Sequence, residues 1–130
     1  MTGIDTSILV RYFAKDDAAQ ASRAKSFLLA LTPTSPGFVS LICLIELVWV
    51  LRSQYRFDKS RLVPVLEQLL DSTELVLENQ SAVEQAVRRF AAAKVDFADC
   101  LIERSGHTSG CHATVTFDAV AAKLAGMKLL

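Results

Sequence analysis

The chain has 130 residues, which suits one domain with its own core, and its 52% hydrophobic and 22% charged residues exclude a disordered protein. Its 14 Lys and Arg balance 14 Asp and Glu, which argues against a protein that coats nucleic acid without specificity. No signal peptide is visible and the apolar run 38–51 is too short to span a membrane, so we expect no membrane partner. Cys43, Cys100 and Cys111 are odd in number and lack a CxxC pair, so we expect a reduced, cytoplasmic protein.

Short apolar strands alternate with helical segments along the whole chain. The predicted strands are 3–5, 38–39, 75–77, 114–117 and the last apolar residues before Leu130. The predicted helices are 8–13, 18–31, 41–51, 59–71, 82–93, 95–106 and a short one after 118. This alternation predicts an α/β fold with a central parallel sheet flanked by helices, in a single domain spanning residues 1–130.

Short polar residues before the apolar runs predict where the helices begin. Ser81 is followed three residues later by Glu84, which is the pattern of a capping box. The predicted N-caps are, in chain order, Thr6 or Ser7, Asp16-Asp17, Ser40, Asp58 and Ser81.

The segment 41–51 is apolar except for Glu46 at its middle. Such a run predicts a helix that is buried on most of its circumference. An isolated buried carboxylate is costly to ionise, by several kcal/mol on general grounds. We therefore expect Glu46 to be protonated, paired with a cation, or turned toward a polar pocket.

Four further carboxylates stand in apolar surroundings at element ends. Asp5 and Asp118 each follow a strand, and the carboxyl ends of parallel strands are where such sheets place functional groups. Asp96 and Asp99 are three residues apart, so they can share one helix face. Gathered acids repel one another unless a hard divalent cation such as Mg²⁺ or Mn²⁺ binds between them. That combination suits the metal-assisted attack of water on a phosphodiester.

Each carboxylate also has a structural interpretation that the sequence leaves open. The alternatives are helix capping for Asp96, Asp99 and Asp118, a turn for Asp5, and an ion pair with Arg52 or Arg11 for Glu46. Taken singly these alternatives are reasonable, but they leave the coincidence of all the acids unexplained.

The order and setting of the acidic motifs resemble those of a PIN domain over essentially the whole chain. The motifs are Gly3-Ile4-Asp5-Thr6-Ser7, Ile45-Glu46-Leu47, Asp96-Phe97-Ala98-Asp99-Cys100-Leu101-Ile102 and Thr116-Phe117-Asp118. The short single-domain form is similar to VapC-type toxins of bacterial toxin–antitoxin modules. This resemblance implies a three-layer α/β/α sandwich, a Mg²⁺- or Mn²⁺-dependent endoribonuclease, a cognate antitoxin partner and a homodimer.

The resemblance also implies roles for individual residues. The catalytic set would be Asp5, Glu46, Asp99 and Asp118. Within it we expect Asp5, Asp99 and Asp118 to hold the main cation, directly or through waters, and Glu46 either to orient a metal-bound water or to help bind a second cation. The supporting residues would be Thr6, Ser7, Asp96 and Thr116. Apart from the resemblance, we expect Arg11 and Arg52 to contact RNA phosphates, and the alternative is that they are ordinary solvated surface charges. One departure from the family pattern is Ser7, because an Asn is common at that position.

Other functions are less well matched. A haloacid-dehalogenase-like phosphatase would need an Asp where Ser7 stands, and a receiver-like domain would need paired acids after the first strand. The main alternative is a PIN scaffold that binds RNA or a protein without cutting. Cys100, His107, Cys111 and His112 match no usual zinc spacing. We expect Trp49, with Ile42 and Ile45, to lie in the core or on a dimer surface.

Overall fold

The computed structural model describes all 130 residues, which form seven helices and five strands. In chain order the elements are β1 (Thr2–Gly3), α1 (Thr6–Ala14), α2 (Ala18–Leu29), β2 (Gly37–Val39), α3 (Leu41–Ser53), α4 (Lys59–Asp71), β3 (Leu75–Leu77), α5 (Gln80–Ala92), α6 (Phe97–Thr108), β4 (Val115–Thr116), α7 (Ala119–Leu124) and β5 (Lys128–Leu129). The chain divides into two compact units, Met1–Glu78 and Asn79–Leu130.

The first unit contains a three-stranded parallel sheet in the order β1-β2-β3 and helices α1 to α4. Its core is aliphatic, with fully buried side chains at Leu9, Val39, Leu44, Leu47, Leu51, Leu62 and Leu66. Gly37 at the start of β2 is required by this packing, because a Cβ there would lie 2.4 Å from Cδ1 of Ile4 and 2.9 Å from Cδ1 of Leu31.

The second unit contains α5, α6 and α7, with β4 and β5 paired in parallel as a sheet of their own. Helices α5 and α6 form its core, where the rings of Phe90 and Phe97 meet edge to face with centroids 5.7 Å apart. Val83, Cys100 and Leu101 complete this core. Aromatic pairs in this geometry add to the stability that burial alone provides.

The predicted fold class is confirmed: the chain is α/β with parallel strands, and its helices and sheet are consistent with the predicted α/β/α sandwich. The helix 59–71 has the bounds that the sequence predicts, and Asp17, Ser40 and Asp58 are N-caps as expected. No helix in the structure is both long enough and apolar enough to cross a membrane.

Two N-cap predictions are wrong. Helix α1 is capped by Asp5 instead of Thr6 or Ser7, and α5 is capped by Asn79 instead of Ser81. The physical reason is local: Asp5 and Asn79 each accept a hydrogen bond from a backbone N–H two or three residues ahead. At the C-terminal side the predicted strand 114–117 is shorter, because only Val115–Thr116 pairs with β5.

The prediction that segment 41–51 is buried on most of its circumference is confirmed, because only a narrow stripe of helix α3 is exposed. The sequence did not predict that Glu46 lies on that stripe. The buried face comprises Cys43, Leu44, Leu47, Val48 and Leu51, and the exposed face comprises Ile42, Glu46 and Trp49. Trp49 is therefore not a core residue, since 63% of it is exposed. Glu46 lies in water and needs no buried counter-charge.

Candidate active site

Asp5 follows β1 and is the N-cap of α1. Its Oδ2 accepts two hydrogen bonds from Ser7, one from the backbone N at 3.1 Å and one from Oγ at 2.6 Å. These bonds favour the charged carboxylate, so the pKa of Asp5 is lowered, chiefly by the Ser7 hydroxyl and then by the Ser7 backbone N–H. The turn interpretation of Asp5 is thus correct as local structure, and it leaves the other oxygen, Oδ1, available for a ligand.

Glu46 lies on the exposed face of α3 and accepts a hydrogen bond of 3.1 Å from Oγ1 of Thr6. The thiol of Cys43, one turn earlier in α3, is close enough to Asp5, Thr6 and Glu46 for all three to affect its pKa. Burial raises the pKa of Cys43, and the negative charges of Asp5 and Glu46 raise it further, while a hydrogen bond involving Thr6 lowers it. Asp5, Thr6 and Glu46 therefore form one polar group in the first unit.

Asp99 lies in the first turn of α6, and Asp96 is the N-cap residue of the same helix. The side chain of Asp96 makes no capping hydrogen bond, so capping does not account for a carboxylate at this position. The pKa of Asp99 is raised, first by burial and then by the negative charges of Asp96 and Asp118. Three carboxylates of the second unit are thus close enough for repulsion to oppose ionisation of Asp99.

Asp118 is the N-cap of α7 and accepts a hydrogen bond of 2.9 Å from the backbone N of Ala121 through Oδ1. Thr116 supports it, because the Thr116 Oγ1 accepts a hydrogen bond of 3.0 Å from the backbone N of Asp118. The capping interpretation of Asp118 is correct, and capping occupies only one of its two carboxylate oxygens.

The structure thus places the predicted site residues in two groups, one in each unit. The first group contains Asp5, Thr6, Ser7 and Glu46, and the second contains Asp96, Asp99, Thr116 and Asp118.

The two predicted RNA-contacting cations differ in their surroundings. The Arg11 guanidinium donates to Asp16 at 3.0 Å, to Gln20 at 2.6 Å and to Tyr55 at 3.2 Å, so it holds α1 against its neighbours. Arg52 is exposed in the last turn of α3. Arg11 is not bound to Glu46, so that half of the ion-pair interpretation of Glu46 is wrong.

No group of three or more His, Cys, Asp or Glu side chains in this structure is arranged to hold a metal ion. The donor chemistry nevertheless fits Mg²⁺ or Mn²⁺, because these ions prefer carboxylate oxygens, and Mg²⁺ is commonly bound by one or two carboxylates with several waters. The repulsion that raises the pKa of Asp99 is what a bound cation would relieve.

The sequence analysis missed an ionic cluster in the second unit. Glu103 is the one charged residue of the chain that is buried, at 7% exposure, and it accepts hydrogen bonds from Arg104 and Arg89. A signal was present: Glu103 follows Cys100 by three residues and so falls on the buried face of α6. Its arginine partner on α5 could not be identified from spacing.

Comparison with protein-family models gives a match to the PIN domain over residues 4–127. The chain belongs to the PIN-domain family. PIN domains are generally metal-dependent nucleases, and the matched region includes every acidic residue described above. Comparison with curated proteins and with solved structures finds no match.

Proposed function

We propose that this PIN domain is a Mg²⁺- or Mn²⁺-dependent endoribonuclease, and that it is the toxin of a type II toxin–antitoxin module in the cytoplasm. One observation carries the nuclease proposal: within a family match over residues 4–127, carboxylates stand at Asp5, Glu46, Asp99 and Asp118 in strand-end and helix settings. The toxin assignment rests on the resemblance of the acidic motifs of this chain to those of VapC-type proteins.

Asp5, Asp99 and Asp118 would hold the cation. When bound, it would lower the pKa of water and polarise the scissile phosphate. The remaining roles belong to the chain itself. Ser7 keeps Asp5 ionised through two hydrogen bonds, and Thr116 bonds the backbone of Asp118.

Glu46 is exposed and its Oε2 is oriented by Thr6, so it is suited to accept a hydrogen bond from the attacking water. Attack of that water in line at phosphorus forms a new P–O bond and breaks the P–O3′ bond, while Glu46 accepts the proton that the water loses and the leaving 3′-oxygen takes a proton from solvent. The products are a 5′-phosphate on one fragment and a 3′-hydroxyl on the other. Asp96 adds negative charge beside Asp99 and thereby favours cation binding there.

Arg52 and Arg11 are the cations that we propose to contact RNA phosphates. Arg52 is exposed six residues after Glu46 in α3. Arg11 is already bonded to Asp16 and Tyr55, so it would contact an RNA phosphate while keeping those structural bonds.

The proposed protein partners are a cognate antitoxin and a second copy of this chain. The exposed Ile42 and Trp49, which share one face of α3, support a homodimer, because large exposed apolar side chains favour protein contact. A cavity of about 220 Å³ between α1, α2 and α4 supports an antitoxin segment, because its lining combines apolar side chains such as Leu9 and Phe13 with polar ones such as Gln68 and Glu74.

The proposal is tested with purified protein and structured RNA in Mg²⁺, in Mn²⁺ and in chelator, alongside the variants Asp5→Asn and Asp99→Asn. Asp71→Asn is the matched control, because Asp71 is an exposed carboxylate at the end of α4. We expect metal-dependent cleavage by wild type and by the control, and loss of cleavage in both site variants. Cleavage that survives both site substitutions would overturn the proposed site. Failure of wild type to cut any RNA would favour the non-cleaving scaffold.

A further inference from the structure

Glu103 is the centre of a cluster that connects three elements of the second unit. Its Oε2 accepts hydrogen bonds from Nη1 of Arg89 at 3.0 Å and from Nε of Arg104 at 2.5 Å, and its Oε1 accepts from Nη2 of Arg104 at 2.8 Å. Arg104 also donates to Oε1 of Gln85 at 2.8 Å. Both arginines lower the pKa of Glu103, Arg104 more strongly, so the buried carboxylate is charged and paired.

Arg89 carries the connection onward to α7. Its Nη1 donates both to Glu103 and to the backbone carbonyl of Ala125, the C-cap residue of α7. The next residue, Gly126, has φ of +80°, and a Cβ there would lie 2.7 Å from the same Nη1. The turn after α7 is therefore shaped to receive this guanidinium.

The N-terminal end of α7 carries one of the proposed catalytic acids. Asp118 is the N-cap of α7, and its negative charge acts on Asp99 in α6. Asp99 and Glu103 are four residues apart in α6, so the proposed catalytic acid lies one helical turn from the buried glutamate that holds Arg89. Arg89 thus connects the C-terminal end of α7 to α6 through Glu103, and α7 carries Asp118 at its N-terminal end.

Packing joins α7 to the neighbouring strands of the unit. Ala121 is buried within the helix, Ala125 and Met127 are buried just after it, and β5 then pairs with β4. The bonds from Arg89 to the Ala125 carbonyl and to Glu103 add a polar connection between the C-terminal end of α7 and the helix that carries Asp99.

We propose that Arg89, held by Glu103, is a positioning residue that keeps Asp118 of α7 beside Asp99 of α6. The cluster then acts on the reaction through the geometry of the two acids. The catalytic part of this inference rests on the proposed nuclease function, whereas the restraint on α7 does not.

The first experiment measures the restraint without metal or RNA. Backbone amide hydrogen exchange in α7 is compared among wild type, Arg89→Met and the control Arg88→Met, which removes an exposed arginine from the adjacent position. We expect exchange at Ala121 and Ala122 to become at least about tenfold faster in Arg89→Met and to be unchanged in Arg88→Met. Unchanged exchange in Arg89→Met would overturn the proposal, whatever the protein's activity.

The second experiment is a double-mutant cycle on Mn²⁺ binding, measured by calorimetry. Arg89→Met should weaken binding by about tenfold, the usual size of an effect exerted through a supporting residue. In the Asp118→Asn background the same substitution should have no further effect, because the acid that it positions is gone. Equal weakening in both backgrounds would indicate a general structural effect and would overturn positioning of Asp118.

Arg89→Lys covers the case in which Arg89→Met does not fold. Lysine retains the charge and can reach one acceptor, so α7 exchange should lie between wild type and the rates expected without the guanidinium. If Arg89→Lys folds with wild-type exchange and wild-type Mn²⁺ affinity, the bond to the Ala125 carbonyl does not position Asp118. Wild-type protein that binds Mn²⁺ but cuts no RNA would overturn only the proposed function.

Discussion

Thr6 and Glu46 are joined by a hydrogen bond of 3.1 Å although 40 residues separate them in the chain. The bond connects the first turn of α1 to the exposed face of α3 and orients one carboxylate oxygen. Because Asp5 precedes Thr6 directly and caps the same helix, one turn of chain positions two of the proposed catalytic acids.

Glu46→Gln should reduce RNA cleavage by about 100-fold or more, as expected for loss of a residue that accepts a proton from water. Glu46 is exposed, so the free energy of unfolding should change by less than about 0.5 kcal/mol. Cleavage assays and thermal unfolding measure the two effects. Glu67→Gln, an exposed glutamate on α4, is the control. If Glu46→Gln unfolded the protein, the carboxylate would be structural.

Thr6→Val removes the hydroxyl that orients Glu46 while keeping the shape of the side chain. We expect cleavage to fall by about tenfold, which is typical of a residue that supports a functional group. Thr6→Ser retains the hydroxyl and should stay near wild-type activity. Equal activity of the two variants would show that the bond between Thr6 and Glu46 is not used in the reaction.

Asp99→Asn should make the metal-free protein more stable while abolishing cleavage. The pKa of Asp99 is raised by burial and by Asp96 and Asp118, so the folded state holds its proton at pH values where the unfolded state has lost it. Stability is therefore lost as the pH rises from the ordinary aspartate pKa through the raised value. Asparagine removes that loss.

The measurement is thermal unfolding in chelator across the acidic range and at neutral pH. The melting temperature of Asp99→Asn should exceed that of wild type by roughly 2 to 4 °C at neutral pH, and the difference should shrink at low pH. A lower melting temperature at neutral pH would show that the carboxylates of the second unit do not repel as described.

Glu103→Ala should lower the free energy of unfolding by about 3 kcal/mol, because it leaves the Arg89 and Arg104 charges partly buried without their partner. Denaturant unfolding measures the change. Glu84→Ala removes an exposed carboxylate from α5 and is the control. If Glu103→Ala lowered the free energy of unfolding no more than Glu84→Ala does, water would be solvating the Arg89 and Arg104 charges in place of the lost carboxylate.

The same cluster predicts a pH dependence. The pKa of Glu103 is lowered by the hydrogen bond from Arg104 and by both arginine charges, so its contribution to stability is present above the unfolded pKa of glutamate. That contribution is lost as the pH falls through the lowered value. Glu103→Gln should therefore flatten the acid side of the stability curve relative to wild type.

Trp49→Ala should convert the proposed homodimer to a monomer without unfolding it, because the side chain is exposed within one chain and contributes little to its core. Sedimentation velocity measures the mass. Ile102→Ala, on α6, removes another exposed apolar side chain and should leave the dimer intact. If the Trp49→Ala protein still sedimented as a dimer, the dimer surface would not include Trp49.

Features that depend on neighbours along the chain could be predicted from the sequence. Asp17, Ser40 and Asp58 cap helices because a short polar side chain reaches an N–H two or three residues ahead. The same rule misplaced the N-cap of α1 by one or two positions, because Asp5, Thr6 and Ser7 are consecutive residues that can all cap a helix. The α/β class and the acids at element ends followed from the alternation of apolar strands with helices.

Features that depend on which helix face meets a neighbour were decided by the tertiary structure alone. Glu46 lies in water because the Leu44, Leu47 and Leu51 side of α3 faces the core, and nearly every residue of that helix is apolar, so periodicity could not distinguish the two sides. Glu103 is buried because Arg89, 14 residues earlier, and Arg104 neutralise it. The sequence alone determined that acids stand at the ends of strands and helices, and tertiary packing decided which carboxylates are oriented by hydrogen bonds, which lie near one another and which one is buried.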